Sequence, residues 1–185
     1  MKISIYQRII SFSDRFDIYV NNELKSIAKR GFFSFIIEMK DNQKKLKTII
    51  KRKTINGIKL NYEITFSDNS KYRFKTNSYR KGVWEMGNEE NKYQLYEHEG
   101  YAYSLYKEER QIAFCKKNEV VFFGKDKFEI EADYDVKEEI VIAIFLIIDN
   151  AFFVDRGIRF PFNIKFFNDG KHRNWQWQPK IKDTG

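Results

Sequence analysis

Cysteine, histidine and proline are nearly missing from this chain. A single cysteine, Cys115, among 185 residues excludes an internal disulfide and a cysteine-only metal cage, and it suits a reducing compartment. The two histidines, His98 and His172, stand in unrelated contexts without metal-ligand spacing, so no metal or other cofactor is expected. There is no glycine-rich phosphate loop, no Gly-x-Ser-x-Gly elbow and no Ser/Asp/His wording, which leaves catalysis without a visible constellation. The opening Met1-Lys-Ile-Ser-Ile-Tyr-Gln-Arg8 lacks the apolar core of a signal peptide. A cytoplasmic, non-enzymatic protein is the expectation.

One long apolar run is present. Residues 140–148, Ile-Val-Ile-Ala-Ile-Phe-Leu-Ile-Ile, are bounded by Asp135, Glu138 and Glu139 before and by Asp149 and Asn150 after. As a helix this run is apolar on every side and must be wrapped by protein or lipid. It is far short of the ~20 residues that span a bilayer. Asp135-Val-Lys-Glu138 reads as a capping box, and Gly157 as a left-handed stop, which predicts a helix over about 136–154. A buried strand is the other reading, since Ile and Val are poor helix formers. It would need covering helices that the chain does not offer elsewhere.

The preceding 132 residues read differently. Aromatics make up 17% of the chain against two prolines, and that enrichment favours strands. Ile3/Ile5, Phe16/Ile18/Val20, Tyr62/Ile64/Phe66, Tyr72/Phe74, Tyr93/Leu95, Tyr101/Tyr103/Leu105, Ile112/Phe114 and Phe128/Ile130/Ala132 alternate with polar partners. Turn chemistry at Asn21-Asn22, Asp41-Asn42, Asn56-Gly57, Asp68-Asn69, Gly87-Asn88 and Glu99-Gly100 separates roughly a dozen antiparallel strands. Such a sheet and an all-apolar helix solve each other's problem if the sheet closes into a barrel around the helix. The predicted fold is therefore mainly β: a closed antiparallel barrel over residues 1–154 with one buried C-terminal helix.

Two segments carry this pattern in recognisable form. Lys127-Phe-Glu-Ile-Glu-Ala-Asp-Tyr-Asp-Val-Lys-Glu-Glu-Ile-Val-Ile-Ala-Ile-Phe-Leu-Ile-Ile-Asp149 resembles the closing strand and central helix of LURP-one-related proteins, and Tyr6-Gln-Arg-Ile-Ile-Ser-Phe-Ser-Asp-Arg-Phe-Asp-Ile-Tyr19 is similar to their first two strands. That family belongs to the tubby C-terminal-like superfamily, together with phospholipid scramblases. The resemblance implies a twelve-stranded barrel around a hydrophobic helix and no enzymatic chemistry for small bacterial-type members. The chain departs from it by continuing about thirty residues beyond the helix, and the basic phosphoinositide-binding residues of tubby proteins have no matching motif here.

The net charge is +8. Residues 156–185 hold seven Lys/Arg against Asp169 and Asp183, and such an excess either attracts phosphate on nucleic acid or on a membrane surface or simply aids solubility. The densest basic cluster is Lys44–Lys53. On a strand, Lys45, Lys47, Lys51 and Lys53 share one outer face with Ile49, opposite Leu46, Thr48, Ile50 and Arg52. This row reads either as a site for anionic phospholipid headgroups, with Arg156 and Arg159 adding to it, or as a solvated strand whose lysines discourage edge pairing. The extension 155–185 interleaves cations with aromatics and has three readings. Trp175 and Trp177 stack nucleic-acid bases while Lys171 and Arg173 neutralise phosphate; or the segment faces a membrane; or Asn168-Asp-Gly170 turns a hairpin that packs both tryptophans on the barrel. The favoured partner is an anionic membrane lipid at the inner membrane face, with nucleic acid the alternative.

Overall fold

The computed structural model describes residues 1–10, 13–31, 35–53, 60–78, 82–98, 102–118, 127–153 and 177–181. Twelve strands precede one helix: β1 (Lys2–Ile10), β2 (Ser13–Val20), β3 (Glu23–Gly31), β4 (Ile36–Asp41), β5 (Leu46–Arg52), β6 (Asn61–Phe66), β7 (Lys71–Ser78), β8 (Val83–Gly87), β9 (Lys92–His98), β10 (Ala102–Lys107), β11 (Arg110–Asn118), β12 (Lys127–Ala132) and α1 (Glu138–Phe153). Each strand pairs antiparallel with the next, and β1 pairs with β12 from Lys2↔Glu131 to Tyr6↔Lys127, which closes the barrel. The closure carries one step further, because the amino terminus donates to the Ala132 carbonyl at 2.8 Å. With every edge paired, no row of backbone donors is left open to another chain.

Among the described residues the predicted turns at Asn21-Asn22, Asp41-Asn42 and Asp68-Asn69 form, while Asn56-Gly57 and Glu99-Gly100 lie outside them. Asn21 and Asn22 both take positive φ, at 49° and 69°, as a tight hairpin between β2 and β3 demands. Asn69 (φ 64°) and Lys44 (φ 66°) do the same between β6 and β7 and between β4 and β5. Asp41 stabilises its own turn by accepting from the amides of Gln43 and Lys45, each at 2.9 Å.

Alternation then sorts the side chains. Ile3, Ile5, Phe16, Ile18, Ala28, Ile37, Met39, Ile50, Tyr62, Ile64, Phe74, Trp84, Met86, Leu95, Leu105, Cys115, Phe128 and Ile130 are buried in one continuous core with residues 140–148 of α1. Every α1 residue from Ile140 to Asn150 is at most 3% exposed. Its side chains reach walls on several sides. The Phe145 ring lies 6.1 Å from those of both Tyr103 (β10) and Phe128 (β12), and Asn150 donates to the Tyr62 hydroxyl (β6) at 3.1 Å. Asn150 also accepts from Arg30 (β3), while Asp149 pairs with Lys117 (β11). The helix occupies the lumen. Burying one such Ile or Phe side chain contributes roughly 1.5–3 kcal/mol, so this run accounts for the barrel's cohesion.

Within the described residues the helix runs from Glu138 to Phe153, in keeping with the predicted span of about 136–154. The predicted capping box does not form. The Asp135 carboxylate instead lies 3.2 Å from the Arg110 guanidinium of β11, three residues ahead of the first helical residue, Glu138.

Candidate anion-binding face

Among the described residues the largest excess of positive charge lies on the wall formed by β3 to β7. Among the described residues from Glu23 to Ser78, thirteen Lys/Arg stand against five Asp/Glu. In the described residues 1–22 and 82–137 the balance is ten against twelve. These five strands are neighbours in the barrel order, so the excess, less the inward-facing Arg30, forms one side of the molecule.

The predicted lysine row sits on this side. Thr48 and Ile50 point into the core at 1% exposure, which turns Lys47, Ile49 and Lys51 outward on β5. Lys45 lies in the turn before the strand and Lys53 just past its end, both exposed. Leu46, expected on the inner face, is 39% exposed because it stands at the barrel mouth beyond the core. Lys45, Lys47 and Lys51 have no carboxylate within ion-pair distance among the described residues. Lys53 does, since Glu63 of β6 lies 3.2 Å away.

Cross-strand register decides how continuous this surface is. Lys51 is opposite Glu63, and Glu63 is opposite Arg73, so cation, acid and cation alternate round the wall at that level. One level along, Lys29 is opposite Glu38, Glu38 is opposite Ile49, and Thr65 is opposite Lys71. Lys29, Lys71 and Arg73 therefore join the row, and the single-strand pattern did not point to them. The count of charges over residues 23–78 would have. Two acids interrupt the face without neutralising it; Glu38 is held by Lys40 at 3.5 Å.

The barrel end at the C-terminus of α1 is polar and buried. The helix has no basic residue in its last turn, and Arg30 and Lys117 supply positive charge to its carbonyl end from the strands. Arg30 also pairs with Asp14 of β2. Both cations occupy inward positions, at 8% and 4% exposure. The sequence reading took no notice of them, although Ala28–Arg30 and Cys115–Lys117 continue the inward parity of their strands. These groups hold the helix rather than face a ligand.

Two groups that the sequence singles out, Cys115 and His98, and one that it does not, Glu97, are buried. Cys115 is fully buried, which pushes its thiol well above the ordinary range and makes it a small core residue. His98 is buried beside Ser104, with Nε2 2.9 Å from the hydroxyl oxygen. Glu97 points inward from β9, and burial raises its carboxyl to about 7, against the opposing hydrogen bond with Tyr103. Among the described residues no group of three or more His, Cys, Asp or Glu could hold a metal ion.

Arg156, Arg159, Lys171, Arg173 and Trp175 lie outside the described residues, as does the predicted Asn168-Asp-Gly170 turn. Trp177 is described. Its indole N–H donates to the Gln111 carbonyl at 3.1 Å, and it lines a shallow depression with Tyr106, Arg110 and Asp133. Three residues on, the Lys180 amide donates to the Asp133 carboxylate at 2.7 Å and its carbonyl accepts from Tyr134 at 3.3 Å. Residues 177–180 thus strap across the start of β11 and the end of β12.

No family model matches this chain, and neither does any curated protein or solved structure. No described helix is long and apolar enough to cross a membrane, which says nothing of strands.

Proposed function

We propose that the protein is a non-enzymatic binding module whose β3–β7 face engages anionic phospholipid headgroups, from the cytoplasmic side of a membrane. The concentration of charge on five adjacent strands carries this reading. Each lysine near an anionic bilayer contributes about 1 kcal/mol, and unpaired outward lysines keep that contribution for the bilayer. The helix fills the lumen, so recognition falls to the outer wall and rims. The resemblance to LURP-one-related, tubby-like barrels agrees with this architecture and adds no residue-level argument. Nucleic acid is less favoured because the indole N–H of Trp177 is already committed to the barrel and its ring is only partly open to a base.

The test is co-sedimentation with phosphatidylcholine vesicles with and without phosphatidylserine, comparing the full chain with Lys45→Ser/Lys47→Ser/Lys51→Ser/Lys53→Ser. Binding that requires phosphatidylserine and drops about tenfold or more in the variant is the expected result. Absence of binding to both vesicles would overturn the proposal. A steeply salt-dependent preference for single-stranded DNA over the vesicles would transfer it to nucleic acid.

A further inference from the structure

The large hydrophobic side chains exposed on the described surface are not scattered. Of six, four lie at one end of the barrel: Leu24 at 38%, Leu46 at 39%, Tyr134 at 51% and Ile181 at 82%. Leu24 opens β3, Leu46 opens β5, and Tyr134 follows β12, so topology places all three at the rim where odd strands begin and even strands end. Ile181 follows Lys180, whose carbonyl accepts from the Tyr134 amide. This is also the rim through which α1 enters, since Glu138 in its first turn feels the charges of Lys25 and Lys47.

From this arrangement we infer that this rim docks to an anionic bilayer with the barrel tilted toward its β3–β7 side, inserting Leu24 and Leu46 between headgroups while Lys44, Lys45 and Lys47 contact phosphate. The inference rests on the lipid-binding reading above and adds an orientation and an apolar contribution to it. A protein partner would call for a contiguous, well-packed apolar centre depleted of charge. The rim offers the reverse: single apolar side chains, set apart round the mouth from β12 to β5, with charges of both signs interposed, Glu23 beside Leu24 and Asp41 beside Lys44 and Lys45. A lipid interface accepts that pattern, because each apolar group enters independently and each lysine stem lies along apolar surface with its ammonium in the headgroup layer. Charge is available for it, since none of Lys44, Lys45 and Lys47 has a carboxylate within ion-pair distance among the described residues. These lysines also border the β3–β7 face, so the rim and the charged wall meet the same surface with the barrel tilted.

The experiment is vesicle flotation at physiological salt, with phosphatidylserine in phosphatidylcholine, on the full chain and two double variants. Leu24→Ser/Leu46→Ser alters the inferred rim, and Phe35→Ser/Ile36→Ser alters the exposed pair at the opposite end. Thermal unfolding of each variant confirms that the barrel is kept. The rim variant is expected to lose affinity about tenfold, and more than the opposite-end variant, whose Ile36 stands opposite Lys51 on the charged face. Equal binding by the rim variant and the parent, or a larger loss at the opposite end, overturns the orientation. If the parent binds, the rim variant matches it and only Lys45→Ser/Lys47→Ser/Lys51→Ser/Lys53→Ser, floated alongside, weakens, headgroup binding stands and apolar insertion falls. If the parent binds no phosphatidylserine vesicle, both fall.

Discussion

Lys117 of β11 and Asp149 of α1 form a salt bridge at 3.5 Å inside the barrel, with the lysine 4% and the aspartate 1% exposed. The lysine ammonium also lies 4.9 Å over the Phe128 ring. A buried pair of this kind adds little net stability over apolar residues of the same volume, yet deleting one partner strands a charge in a poor solvent. Lys117→Met should therefore destabilise by about 3–5 kcal/mol, and Lys117→Met/Asp149→Leu should recover a substantial part of the loss. Urea denaturation of the three proteins decides it. A double variant no more stable than the single one would show that the pair is not the unit that matters.

Ile144 is fully buried at the middle of the apolar run. An aspartate there has no partner within the barrel, and an isolated buried carboxylate costs several kcal/mol even after it protonates. Ile144→Asp should leave little folded protein at room temperature, whereas Ile144→Val should cost about 0.5–1.5 kcal/mol. Cooperative unfolding of the aspartate variant near the parental temperature would contradict a central helix.

Much of this architecture is legible in the sequence, and the reason is local. Alternation at Phe16/Ile18/Val20 or Tyr62/Ile64/Phe66 reports directly which face is dry, and nine apolar positions from 140 to 148 admit only enclosure. Closure followed from pairing every edge. What stayed hidden depends on neighbours distant in sequence. Nothing around Lys53 shows that Glu63 lies against it, and nothing around Asp135 shows that Arg110 lies against its carboxylate. Arg30 and Lys117 were legible in principle, since their strand parity points inward, but a lone cation in a basic stretch is ordinarily read as solvated. Charge gave a partial signal: the Lys44–Lys53 cluster and residues 156–185 stand out in the sequence, while the excess on the described residues extends over β3–β7 as a whole.

That neighbour effect is itself testable. Lys51 has no carboxylate within ion-pair distance among the described residues, whereas Lys53 is 3.2 Å from Glu63. An ammonium already paired loses part of that interaction when it meets phosphate, so Lys51→Ser should weaken phosphatidylserine binding more than Lys53→Ser. Removing the acid should act oppositely, with Glu63→Gln strengthening binding by a few-fold, within the ~1 kcal/mol expected of one surface charge. Vesicle titrations at low and physiological salt give the comparison. Indistinguishable lysine variants would place the contact away from this level of the wall.

The strap at residues 177–180 depends on Asp133, which accepts from the Lys180 amide at 2.7 Å and is 1% exposed. Asp133→Ala removes that acceptor and leaves the Arg110 guanidinium with Asp135 alone. Trypsin should then cut after Lys180 several-fold faster than in the parent, because cleavage follows the population of the opened segment. Trp177→Phe, which removes the donor to Gln111 and keeps most of the ring, should accelerate cleavage less. Unchanged rates in both would mean that other contacts hold the segment.

Glu97 makes the fold respond to pH. Its carboxyl is raised from 4.5 to about 7, burial being the main cause and the Tyr103 hydrogen bond the opposing one. A raised acid means that the folded state holds its proton where the unfolded chain has released it. Between about pH 4.5 and 7 the native state therefore binds more protons, and stability falls as pH rises through that window. At pH 8 both states are ionised and the folded one carries the full desolvation cost, on the order of 3 kcal/mol. Glu97→Gln keeps the size and removes the titration, so its stability relative to the parent should increase from pH 5 to pH 8. Subtracting the two unfolding curves at each pH cancels the other titrating groups, including the raised, half-buried Glu138. A difference that stays flat over that range would mean that Glu97 ionises at its ordinary pH, and that water reaches it between β9 and β10.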